Sequence, residues 1–174
     1  HSDYKAIKMF DDYKTSNKGV LLELKNLVFK RNTRTILSIK DLKFFYGNII
    51  GIVGENGIGK STLAKIICGL YKENKGKILK DDENLNIKSR LNESLLIMQE
   101  VNYQLFTDSV KDEIVLTSNI KDNNALDTWL KDMELKNIID RNPHTLSGGQ
   151  KQRVIILSAL LSDKKILFFD EPTS

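Results

Sequence analysis

The sequence predicts an α/β fold built on a mainly parallel sheet. Three observations point there. The runs Ile49-Ile50-Gly51-Ile52-Val53, Leu95-Leu96-Ile97-Met98 and Ile166-Leu167-Phe168-Phe169 are almost wholly apolar, as strands buried on both faces of a parallel sheet are. Residues 61–70 and 148–161 carry apolar positions at helical spacing, so strands alternate with helices. A glycine-rich segment at 54–61 joins the first apolar run to the first helix.

The elements follow in chain order. Residues 1–18 read as a tail or linker, with Asp11-Asp12 and Thr15-Ser16-Asn17 as loop. The chain begins His1-Ser2 rather than Met, which reads as a cloning scar or a cut from a longer chain. From Val20, Leu22 and Leu24 alternate with Glu23 and Lys25, and Leu27-Val28-Phe29 follow. That is a strand, and Arg31-Asn32-Thr33 is its turn. Residues 35–39 and 42–44 read as two more short strands, giving a small antiparallel β part in front. A short strand at 77–79 precedes a polar loop at 81–86. A helical insert is expected at about 101–147, in which Ser109 and Asp112 resemble a capping box. Leu126, Trp129, Leu130 and Met133 share one helical face, so Trp129 is expected in the core.

Composition bounds the class. The chain has 174 residues, 40% hydrophobic and 29% charged, which fits one globular domain. No stretch approaches the roughly 18 apolar residues of a membrane span, so a membrane connection is expected only through a partner. The net charge is +4 with scattered lysines. This reads as a solvated surface rather than a nucleic-acid footprint. The single cysteine, Cys68, lies in an apolar run and reads as a small buried hydrophobe.

Three motifs carry chemistry. Gly54-Glu55-Asn56-Gly57-Ile58-Gly59-Lys60-Ser61 fits G-x-x-x-x-G-K-[ST] in full, and Thr62 follows it. Between a strand and a helix, this pattern is a P-loop. Glycines let backbone N–H groups close around phosphate oxygens. The helix start adds positive potential, Lys60 reaches the β- and γ-phosphates, and Ser61 can ligate Mg²⁺. Phe169-Asp170-Glu171 ends an apolar strand downstream. There Asp170 suits Mg²⁺ binding and Glu171 suits the general base that polarises the attacking water. Leu146-Ser147-Gly148-Gly149-Gln150, followed by Lys151-Gln152-Arg153, reads on its own as a helix start capped by Ser147.

In this order the three motifs resemble those of ABC ATPases over nearly all of residues 20–174. The resemblance implies a P-loop core, ATP and Mg²⁺ as ligands, and residues 19–174 as the ATP-binding domain. It implies pairing with a second such domain, homo- or heterodimeric. Leu146, Ser147, Gly148, Gly149 and Gln150 would then act in trans, on the γ-phosphate held by the partner's P-loop. Gln99 matches the family's γ-phosphate and Mg²⁺ sensor. The stretch 99–110, with Gln104-Leu105-Phe106, resembles the ATPases of energy-coupling factor transporters, which import vitamins or metal ions. That implies a transmembrane partner and a peripheral place on the cytoplasmic side of the membrane. The apolar Tyr103, Leu105 and Phe106 in a loop point to residues 103–110 as the contact, with packing into the helical insert as the alternative. Family members stack an aromatic on adenine where this chain has Arg31, whose guanidinium can also stack on a base. The family's D-loop and switch histidine are expected beyond Ser174, making the chain truncated after Walker B. Rival readings are the ATPase of another ABC transporter class, a non-transport ABC ATPase acting on ribosomes or DNA, and a module that binds nucleotide without turning it over.

Overall fold

A computed structural model describes residues 8–11, 19–118 and 123–170. The chain divides into two compact units, residues 1–92 and 93–174.

The first unit is built on a long hairpin. Strand β2 (Val20–Arg31) turns at Asn32-Thr33 into β3 (Arg34–Phe45). The two short strands expected at 35–39 and 42–44 are this one strand. Of the two polar residues between them, Asp41 pairs with Lys25, and the ladder resumes at Ile39 opposite Leu27. On the other side of β2 lies β5 (Lys75–Lys80), which is followed by the short β6 (Glu83–Asn84), so the sheet order is β3-β2-β5-β6, all antiparallel. Leu24 and Leu27 are both buried despite odd spacing. Asn26, with φ 49°, sits where the register against β5 slips, and the slip turns Leu27 inward.

Further expectations change in this unit, and the polar loop expected at 81–86 contains the short strand β6. Residues 8–11, expected as tail, form strand β1 (Lys8–Asp11). It pairs antiparallel with β4 (Ile50–Val53). β4 is therefore not a strand buried on both faces: its residues alternate half-buried and exposed, and Ile49 before it is exposed. Apolar content alone cannot tell a two-sided strand from one with a single described neighbour. Helix α1 (Lys60–Ile67) buries Leu63, Ala64, Ile66 and Ile67. Cys68 follows it and is buried, as expected. Helix α2 (Ile87–Glu93), which spans the unit boundary, has no sequence counterpart in the reading above. It places Arg90, 2% exposed, where its guanidinium donates to Ile66 O at 2.9 Å and pairs with Glu73 at 3.0 Å.

In the second unit β7 (Ser94–Ile97) and β8 (Ile166–Phe169) pair in parallel, Ile97 opposite Phe169. β8 is half-buried rather than enclosed, with Phe169 exposed at its end, and among the described residues it pairs with β7 alone. Helix α3 (Val110–Thr117) starts on Ser109, whose Oγ accepts from Asp112 N at 3.0 Å. α4 (Asn123–Asp132) and α5 (Gly148–Leu160) complete the helices. The core joins Ile97, Leu105, Val110, Ile114, Leu130, Leu135, Val154 and Leu157. Trp129 is not in it: Leu130 is buried, Leu126 and Met133 are packed against the core, and Trp129 stands at the rim of that stripe, 40% exposed. Among the described residues no helix is long and apolar enough to cross a membrane.

Candidate functional site

The first unit carries the glycine loop. Gly57 and Gly59 have φ of 82° and 111°, the left-handed region that costs glycine little and other residues much. A Cβ at Gly59 would also crowd Ile36 O and Leu37 at 3.4 Å. Gly59 is the N-cap of α1, and its carbonyl accepts from Leu63 N at 2.8 Å. No side chain caps that helix start, so its first N–H groups face the loop. Gly54, Glu55, Asn56 and Gly57 are exposed, and Ile58, Lys60, Ser61 and Thr62 are half-buried. Lys60 Nζ curls back to donate to Gly54 O at 2.8 Å and Glu55 O at 3.1 Å. A single ammonium thus holds the mouth of the loop, ringed by backbone.

Arg31 lies exposed at the tip of the β2–β3 hairpin, paired in register with Arg34. Two residues before it, Phe29 stacks on Tyr71 with centroids 5.5 Å apart.

The second unit carries the remaining candidates. Gln99 and Asp170 follow the C-terminal ends of neighbouring parallel strands, the usual place for ligands in α/β sheets. Asp170 N donates to Ile97 O at 2.9 Å, which extends the pairing one step past β8. Gln99 is exposed and Asp170 half-buried. Glu171 lies outside the described residues. Among the described residues no cluster of His, Cys, Asp and Glu forms a metal centre by itself.

Ser147 caps α5: its Oγ accepts from Gln150 N at 3.3 Å, and Gln150 Oε1 accepts from Ser147 N at 3.0 Å. This is a complete capping box. Leu146 is buried in the core just before it. Gly148 and Gly149 occupy the first turn, exposed, with no positive φ. A Cβ at Gly148 would meet nothing within 4 Å, and one at Gly149 only the tip of Arg153 at 4.0 Å. Nothing among the described residues requires glycine at either position, although glycine costs a helix about 1 kcal/mol.

Sequence reasoning missed two residues, Gln104 and Glu113. Gln104 Oε1 accepts from Met98 N, and its Nε2 donates to Leu96 O, both at 2.8 Å. Glu113, 3% exposed, accepts from Phe106 N, Thr107 N and Thr107 Oγ at 2.8–3.0 Å. Between them Leu105 is buried, while Tyr103 and Phe106 are 74% and 76% exposed. The apolar residues of 103–110 thus split, with Leu105 and Val110 in the core and Tyr103 and Phe106 outside. No local spacing signals the two polar anchors, because their partners lie six to eight residues away across a loop.

The ABC transporter family matches residues 37–174. A putative ABC transporter ATP-binding protein of Treponema denticola is 39% identical over 99% of this chain and 36% of its own length. The energy-coupling factor transporter ATP-binding protein EcfA1 of Mycoplasma mobile is 38% identical over 88% of this chain and 60% of its own. The chain therefore spans between about a third and three-fifths of the length of these relatives. Among solved structures, cbiO1 of Clostridium perfringens, part of the ABC transporter complex cbiONQ, superposes with a TM-score of 0.70. It is 27% identical, over 88% of this chain and 66% of that one.

Proposed function

Because this chain belongs to the family of ABC transporter ATP-binding domains, we propose that it binds ATP and contributes to its hydrolysis in powering membrane transport. The observation that carries the proposal is the loop at 54–60, where Lys60 sits bonded to two loop carbonyls beside an uncapped helix start. A triphosphate offers that ammonium stronger, charged partners than Gly54 O and Glu55 O. The backbone N–H groups and the helix start bind the remaining oxygens.

The other roles follow residue by residue. Ser61 in the first unit offers a hydroxyl and Asp170 in the second a carboxylate, each a hard oxygen ligand of the kind Mg²⁺ prefers. When bound, Mg²⁺ neutralises charge on the β- and γ-phosphate oxygens. Glu171 takes the proton from water as the water oxygen attacks the γ-phosphorus. The bond from that phosphorus to the bridging oxygen breaks, and ADP leaves with the electron pair. Gln99 orients the water and reports the γ-phosphate. Ser147, Gly148 and Gly149 of one domain close on the γ-phosphate held by a second domain. The bare first turn of α5 supports this, since its glycines are unexplained by packing within the chain. Arg31 stacks on the base.

We further infer import through an energy-coupling factor complex, the domain lying on the cytoplasmic face of the membrane. The similarity to EcfA1 supports it. So does the exposure of Tyr103 and Phe106, which suits a transmembrane partner at that loop.

Titration with a fluorescent ATP analogue tests the core of the proposal. Lys60→Ala is expected to abolish measurable binding. Wild-type affinity in that variant would overturn the assignment of the loop.

A further inference from the structure

We propose that Gln104 is a positioning residue for hydrolysis: its side chain takes the place of a missing strand beside β7 and so fixes the backbone from which Gln99 projects. The inference rests on the sensor role given to Gln99 above.

β7 has two edges. Ile97 O is used by Asp170 N, on the side of β8. Backbone groups of successive strand residues point to opposite edges, so Leu96 and Met98 face the other way. Among the described residues no strand lies there. In a parallel sheet, one residue of a neighbouring strand donates its N–H to the carbonyl of residue i−1 and accepts with its C=O from the N–H of residue i+1. Gln104 makes that same pair with i being Ile97: Nε2 to Leu96 O and Oε1 from Met98 N. A primary amide has the donor and acceptor side by side, as a strand residue does. Met98 is the last residue before Gln99, so the hold ends one peptide short of the sensor.

The second anchor keeps Gln104 in place. Leu105 is buried immediately after it, and Glu113 on α3 binds the amides of Phe106 and Thr107. Asn102 Oδ1 accepts from Lys151 Nζ at 2.9 Å, three residues along from the first glycine of α5. The loop after β7 is therefore tied to the strand end and to α3 and α5, all within one unit. Only Gln satisfies both groups on β7. Glutamate, when ionised, accepts from Met98 N but sets a second oxygen against Leu96 O.

The test uses the full-length protein, with turnover expressed per bound nucleotide so that a misfolded fraction does not count. Gln104→Ala is expected to keep ATP affinity and lower turnover about ten- to a hundredfold, the scale of a misplacement of about 1 Å. Gln104→Glu is expected to be impaired at about pH 8 and to recover relative to wild type as pH falls to about 5.5, because the Leu96 carbonyl it faces disfavours the ionised carboxyl and raises its pKa, so that the proton it needs to donate is regained. A residue serving only to hold the fold together would not change turnover per bound nucleotide with pH in this way. Gln99→Ala is run beside them. If Gln99→Ala is slow while Gln104→Ala turns over as wild type, the positioning role is refuted and the sensor role stands. If Gln99→Ala itself is unimpaired, the sensor reading fails. Should Gln104→Ala not fold, a ratio for Gln104→Glu that stays flat across pH overturns the proposal.

Discussion

Glycines 148 and 149 allow stability and function to be separated by a single methyl group. Both lie in the first turn of α5 with ordinary φ, and an added Cβ meets nothing closer than the Arg153 guanidinium at 4.0 Å. Alanine there removes freedom from the unfolded chain without strain in the folded one. Such a change stabilises by about 0.4–1 kcal/mol, or roughly 1 to 4 °C in melting temperature for a chain of this size. On fold grounds alone, Gly148→Ala and Gly149→Ala are improvements. If this turn closes on a γ-phosphate, the same methyl stands between phosphate oxygen and backbone N–H. A hydrogen bond to a charged group contributes about 1.5–3 kcal/mol, so losing one weakens ATP-dependent pairing about ten- to a hundredfold.

Two measurements on one variant decide the matter. Urea unfolding gives the stability. ATP-dependent dimerisation, followed by size-exclusion chromatography in a Glu171→Gln background that blocks turnover, gives the pairing. The expected result is an unchanged or raised urea midpoint with the dimer lost. A lowered midpoint would mean that the glycines serve the fold after all. A normal dimer would remove the turn from the nucleotide interface.

Other perturbations follow from the same geometry. Arg90→Met strips the buried partner from Glu73 and the donor from Ile66 O. It is expected to destabilise the protein by about 3 kcal/mol, and an unmoved urea midpoint would show that the pair does not brace α1. Tyr103→Ser and Phe106→Ser remove exposed apolar rings and are expected to leave stability within about 0.5 kcal/mol while weakening co-purification of the membrane partner. Retained co-purification with both changes would move the contact elsewhere.

The sequence made the local geometry of the candidate site legible where motif and backbone coincide. The loop at 54–61 is one such place, because its glycines at positive φ, its lysine and the helix that follows are contiguous. The helix start capped by Ser147 is another, since the N–H that its hydroxyl accepts from lies within one helical turn; that Gln150 completes a capping box is seen only in the structure. Errors arose where the outcome depends on neighbours distant in sequence. Residues 35–44 look broken by polar residues, yet the partner strand β2 carries the ladder through them. Residues 50–53 look buried on both faces, yet what they pair with among the described residues is a short antiparallel strand from the supposed tail. Trp129 has the right helical phase for the core, but phase gives a direction and not a depth.

Gln104 shows why the rest is hidden. Read as a sequence, Tyr103-Gln104-Leu105-Phe106 is a polar residue among apolar ones in a loop, and any hydrophobicity pattern would set the apolar three against a core. The structure buries only Leu105 and exposes the two rings. The polar residue does what a strand would do, spanning from Leu96 O to Met98 N. Periodicity reports which face of an element is dry, and it carries no information about which edge of a sheet lacks a neighbour. An unpaired edge next to a functional residue leaves backbone groups that must find partners. A side-chain amide is the smallest group that satisfies both at once, with no further strand needed at the point where Gln99 leaves the sheet.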